Sequence, residues 1–149
     1  MTQVMIVVFD GLQPSQVTPE LMPNLAQFAS EGVIFNKHHP VFPTVTRVNA
    51  ATLVTGRISG SHGLAANTLV ARDFDDDRVI QAMQPYLDAM SRAGVPILFT
   101  PTLAELLSQH GQEYTAIGVG TSGNAYVHNP RAEEVGGATI HPEFTLPAS

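Results

Sequence analysis

Near its start the chain runs Val4-Met5-Ile6-Val7-Val8-Phe9 without a polar residue and stops at Asp10-Gly11. No other feature limits the fold so tightly. The run lacks the alternation of a strand with one wet face and is rich in β-branched residues. It fits a strand covered on both faces, as in a mostly parallel sheet. It is far too short for a membrane-spanning helix, which needs about 20 apolar residues. No basic segment precedes it and no small-residue cleavage site follows it, so it reads as structure and not as a signal peptide. With no signal peptide or transmembrane segment evident, the expected location is cytoplasmic by default.

The rest of the chain alternates. Thr18-Pro19-Glu20 and Pro23 prepare a helix with Leu25, Phe28 and Ala29 on its apolar side, closed by Gly32 in the left-handed position after the helix. Val33-Ile34-Phe35 reads as a second strand, and His38 to Pro43 as a proline-punctuated loop. Thr46 to Val54 predicts a helix ended by Gly56, Ser59 to Gly63 a turn, and Leu64 to Val70 an extended segment. Asp73 to Asp77 is an acidic surface stretch. Val79 to Ala93 is expected to be helical with an interruption at Pro85. Thr102, with Glu105 three residues on, caps a helix from Leu103 to His110 that Gly111 ends. Tyr114 to Val119 is a third strand, and Gly136 to Ser149 shows no helical period. Strands alternating with helices predict an α/β layer fold around a parallel sheet. No linker divides the chain, and 149 residues, 44% of them hydrophobic, suit one domain with a real core.

Charge narrows the chemistry. The net charge is -6 and the seven Lys and Arg are scattered. A nucleic-acid-binding surface would show a basic stripe, and none is evident. A small anionic substrate would need a metal to supply positive charge. The absence of cysteine excludes disulfides, thiolate zinc sites and a cysteine nucleophile.

Three places can carry chemistry. Asp10 stands at the carboxyl end of the first predicted strand, where open α/β sheets bind ligands, and Gly11 allows a sharp turn beside it. An Asp-Gly taken alone is more often simply a turn. Thr46 falls about where a helix begins, and helix N-termini bind phosphate. A hydroxyl there can act as a nucleophile. Taken alone, Thr46 reads better as a helix cap, and Thr44 is an equal candidate for that cap. Asn67, after Ser61-His62-Gly63, can donate a hydrogen bond to a phosphate oxygen that gains charge, or can be an ordinary turn residue.

The set Phe9-Asp10-Gly11, Thr46 with Asn49, Thr55-Gly56, His62-Gly63 and Asn67 resembles the type I phosphodiesterase and nucleotide pyrophosphatase branch of the alkaline phosphatase superfamily. The likeness runs by order and spacing from Met1 to about Asn67, weakens through Asp73 to Ala93, and partly returns in Thr102 to Pro130. It implies a three-layer α/β/α sandwich with a mostly parallel sheet, truncated here, with residues 1–149 as the N-terminal portion of one catalytic domain. It implies that Asp10 and Thr46 bind one of two zinc ions, that Thr46 rather than Thr44 is the nucleophile, and that Asn67 helps hold the substrate phosphate. The substrate is then a small phosphate ester or nucleotide. The family's other zinc ligands, two more Asp and several His, fall beyond Ser149, so this chain is expected to supply only part of the site. Ser59 stands where the family commonly has Pro.

Local residues do not replace those ligands in the sequence pattern. His38-His39 read as loop histidines, His62 as the residue that fixes the turn before Asn67, and the Asp73–Asp77 cluster as solvated charge lacking the glycine and spaced glutamate of a calcium loop. Gly118-Val119-Gly120-Thr121-Ser122-Gly123 matches a dinucleotide-binding pattern, but Pro130 follows too soon for the required βαβ unit. Two alternatives stand beside the phosphodiesterase: a catalytically silent fragment, and a phosphomonoesterase or phosphonate hydrolase of the same superfamily. A sulfatase is disfavoured because its modifiable Cys or Ser with following Pro and Arg is absent. Self-association through an exposed sheet edge is a further expectation.

Overall fold

The computed structural model describes residues 3–75 and 78–148. Asp76 and Asp77 of the acidic stretch therefore lie outside the described residues. By its internal contacts the chain forms two compact units, residues 1–39 and 40–149.

In the first unit, residues 3–9 carry no strand pairing and their side chains are exposed, Val4 at 84% and Val8 at 68%. Val33-Ile34-Phe35 is likewise irregular and exposed. Both departures from the expected strands have one cause. A strand buried on two faces exists only where neighbours pair its edges and layers cover its faces, and none of the described residues of this unit is buried. The expected helix does form, as α1 (Pro23–Ser30), opened by a proline in its first turn. It ends at Glu31 in a right-handed conformation, so Gly32 is not the left-handed residue that its position suggested.

The second unit holds the core. It contains α2 (Thr46–Thr55), α3 (Ser59–His62), β1 (Thr68–Val70), β2 (Val79–Gln81), α4 (Gln84–Arg92), α5 (Leu103–Ser108), β3 (Thr115–Ile117), α6 (Ser122–Tyr126), α7 (Ala132–Val135), β4 (Ala138–His141) and β5 (Phe144–Leu146). β1 and β2 pair antiparallel, Leu69 opposite Ile80. β3 runs parallel to β4, and β5 returns antiparallel along β4. The described residues thus form a mixed α/β structure with two small sheets. Ala50, Ala51, Leu64, Ile80, Leu87, Tyr126 and Val127 belong to one buried cluster.

Local chemistry explains several boundaries. Gly56, at φ 64°, closes α2 in the left-handed conformation a glycine adopts without strain. Thr102 accepts from the Glu105 amide at 3.3 Å, and Glu105 accepts back from the Thr102 amide at 2.7 Å, so the reciprocal cap of α5 forms as its sequence predicts. Pro85 does not interrupt a helix. It sits in the first turn of α4, where its missing N–H costs nothing, and the residues ahead of it pair as β2.

β4 has an inverted pattern. Thr139 and His141 point inward and Ile140 outward. The buried polar groups are satisfied: Thr139 donates to the Asn129 carbonyl at 3.0 Å and His141 Nε2 to that of Gly120 at 2.9 Å. His141 Nδ1 accepts from the Glu143 amide, which assigns the ring proton to Nε2. The Gly118–Gly123 segment is therefore a strand-to-helix turn pinned by His141.

Thr102→Ala is expected to lower the stability of the folded chain by about 1 kcal/mol through loss of the cap. The urea-unfolding midpoint measures this, and an unchanged midpoint contradicts it.

Candidate active site

α2 carries the residues of greatest interest. The residue before it, Val45, occupies the cap position and has no side-chain oxygen to accept the first-turn amides. Thr46 is the first helical residue and is exposed. It therefore does not play the capping part that was its simplest reading, and neither does Thr44. No acidic residue stands in the first turn. The combination of amides without a side-chain cap and an aligned helix dipole favours an anion at this end.

Asn49 shapes the approach to Thr46. Its Oδ1 accepts from the Val41 amide at 2.9 Å, and its Nδ2 donates to the Val45 carbonyl at 3.1 Å. One side chain thus folds residues 41–45 back onto α2 and fixes where the helix starts.

Arg47 is buried, 5% exposed, beside the exposed Thr46. Its Nη1 donates to the Asn67 carbonyl at 3.0 Å and its Nη2 reaches Met83 Sδ at 2.9 Å. Its Nε is buried without a hydrogen-bond partner. Burial pulls its pKa down from the usual arginine value, yet an arginine stays charged in proteins. The same Asn67 carbonyl accepts from the Ala82 amide at 2.9 Å. Asn67 itself is exposed, in the turn before β1. Thr46 and Asn67 are thus joined through one intervening side chain. The sequence reading missed Arg47. The signal available was a lone charge set among Val48, Ala50 and Ala51 on a helix face that otherwise reads as core.

His62 is fully buried. Its Nδ1 accepts from the Leu64 amide at 3.2 Å, so its Nε2 carries the proton and donates to Thr52 Oγ1 at 3.1 Å. It fixes the turn before Asn67, as the sequence suggested, and neither ring nitrogen is left for a metal. His128 is a second structural imidazole, 3.0 Å from the Tyr114 hydroxyl through Nδ1.

Asp10 lies in the first unit, exposed, in the turn that Gly11 makes at φ 80°. His38 and His39 are exposed in the same unit. Among the described residues no group of three or more His, Asp or Glu could hold a metal ion. A closed zinc site takes four ligands and a catalytic one three protein ligands. A cavity of about 550 Å³ lies in the second unit between Gly94–Thr102 and Pro130-Arg131, and neither Thr46 nor Asn67 lines it.

The family model for type I phosphodiesterase / nucleotide pyrophosphatase matches residues 4–144. The chain belongs to that family. Among its relatives, a bis(5'-adenosyl)-triphosphatase of Xenopus laevis is 38% identical over 71 residues, covering 48% of this chain and 16% of the relative. The corresponding proteins of Bos taurus and Homo sapiens are each 34% identical over 67 residues, covering 45% of this chain and 15% of theirs. The chain thus spans about one sixth of the length of the curated relatives it matches. No solved structure matches it. No helix of the described residues is long and apolar enough to cross a membrane.

Burial holds His62 and His128 below the ordinary histidine value of 6.5. Below that value the unfolded chain binds protons that the folded chain refuses, so stability rises with pH across the window. The contribution is fully present above about pH 6.5 and is lost as pH falls through the folded-state values. The urea midpoint should therefore drop between about pH 7.5 and about pH 5.5, and a flat or rising profile contradicts this.

Proposed function

We propose that this chain carries the nucleophile and the phosphate-facing helix of a phosphoesterase that cleaves a phosphodiester or a nucleotide phosphoanhydride. Family membership supports the reaction class. The observation that carries the residue assignment is Thr46 opening α2 behind a cap residue, Val45, that cannot satisfy the helix amides. A phosphate placed there meets N–H donors and the positive end of the dipole, with a hydroxyl beside it.

In this reading the Thr46 oxygen attacks phosphorus and the bond to the leaving oxygen breaks. The Thr46 proton is lost and the leaving oxygen gains one, giving a phospho-threonine and an alcohol or a nucleotide. Water then cleaves the phosphorus–threonine bond, restoring the hydroxyl and releasing the phosphorylated product. The α2 amides and the Asn67 amide stabilise charge on the non-bridging oxygens as it develops. Asp10 and Thr46 are the groups this chain offers to a two-metal centre of zinc type. When bound, such metals supply Lewis-acid charge to the reacting oxygens. The proposal extends to the fold: residues 1–149 form the N-terminal portion of one three-layer α/β/α catalytic domain.

One observation favours a second reading. It is a catalytically silent fragment, the reading favoured by the finding that among the described residues no group of three or more His, Asp or Glu could hold a metal ion.

Hydrolysis of bis-p-nitrophenyl phosphate with added zinc separates the two, and a bis(5'-adenosyl) triphosphate is the nucleotide to try beside it. Thr46→Ala is expected to reduce turnover by at least about 1,000-fold and to abolish phosphate trapped on the peptide containing residue 46. Turnover that survives the substitution removes Thr46 as nucleophile. A wild-type chain without turnover supports the silent piece.

A further inference from the structure

We propose that Arg47 is a positioning residue that sets the distance between the nucleophile and the phosphate-holding amide, by clamping the Asn67 backbone to the first turn of α2. This deepens the proposed function and rests on it.

The case begins with cost. A buried guanidinium without a carboxylate is expensive, because desolvation is repaid only by hydrogen bonds and charge partners. Arg47 has a backbone carbonyl and a thioether, and its Nε has nothing. A helix with apolar residues on its inner face would be more stable with Leu or Met in that place. The arginine therefore answers a geometric need. It meets the carbonyl of one of the two residues that must face the same phosphate, while it is covalently joined to the other.

The geometry supports a clamp and not a loose contact. The Asn67 carbonyl is held from two sides, by Arg47 at 3.0 Å and by the Ala82 amide at 2.9 Å. The guanidinium is itself confined, because any side chain at Gly123 would run into the Ala82 carbonyl and lie 3.0 Å from Arg47 Nε. Asn67 has no other tie of this kind to α2 among the described residues. If the clamp is released, the turn before β1 keeps its sheet bond to Ala82 but loses its register against Thr46. A displacement of about 1 Å between reacting groups can cost on the order of 100-fold in rate.

The test is a double-mutant cycle on the full chain with zinc present, using Arg47→Met, Asn67→Ala and the pair. The readouts are kcat and KM for bis-p-nitrophenyl phosphate, and the Kd of inorganic phosphate. Arg47→Met alone should lower kcat on the order of 100-fold, and Arg47→Lys, which retains a donor, should recover part of that loss. In the Asn67→Ala background, Arg47→Met should cost little more, since the side chain being positioned is already gone. Losses that multiply independently overturn the proposal while leaving the phosphoesterase reading intact. Unfolding of both Arg47 variants by circular dichroism also overturns it, because the arginine would then hold the core and not Asn67. If the wild-type chain neither turns over nor binds phosphate, the phosphoesterase reading of this chain fails first and this proposal falls with it. That result is seen before any variant is made.

Discussion

The second unit holds a buried positive charge that has no acidic partner among the described residues. Arg47 draws together the start of α2, the turn at Asn67 and the segment Ala82-Met83 that leads into α4. Each of those pieces is constrained in turn. Gly123 must lack a side chain because α6 presses on the Ala82 carbonyl beside the guanidinium. Ala82 must keep its amide for the Asn67 oxygen. Thr46 is exposed while its neighbour Arg47 is turned inward. Arg47 thus shares the inward face of α2 with Val48, Ala50, Ala51 and Val54, and Thr46 lies on the other side.

The sequence made the ends of elements legible and much of the sheet illegible. Gly56, Gly63 and the Thr102–Glu105 pair act through their own backbone neighbourhood, so a local reading suffices. β4 defeats such a reading because its inward positions are Thr139 and His141, whose polar atoms are paid for by carbonyls on distant turns. Hydrophobic period points the wrong way for such a strand. Ile80, buried between two exposed residues, is too short a pattern to outweigh the helical signal after it. The Val4–Phe9 run failed for the opposite reason. Its pattern is strong, but a central strand is a statement about neighbours, and pattern alone does not supply them.

The candidate residues are legible in the sequence, and their local surroundings are not. Order and spacing single out Thr46, but not its place inside the helix behind a segment that Asn49 ties back through Val41 and Val45. Asn49 belonged to the recognised pattern without a stated purpose, and the structure gives it one. Arg47 was passed over because charge on a helix is ordinarily a solvated face. Only burial distinguishes it, and the burial of a single side chain cannot be seen from composition.

His62 has a consequence of a different kind. Its ring proton lies between two protein atoms and is shut away from water, with the other nitrogen already occupied by the Leu64 amide. Such a proton can exchange with solvent only when the surrounding turn opens. Exchange of that proton is therefore tied to the opening of the turn that His62 holds ahead of Asn67.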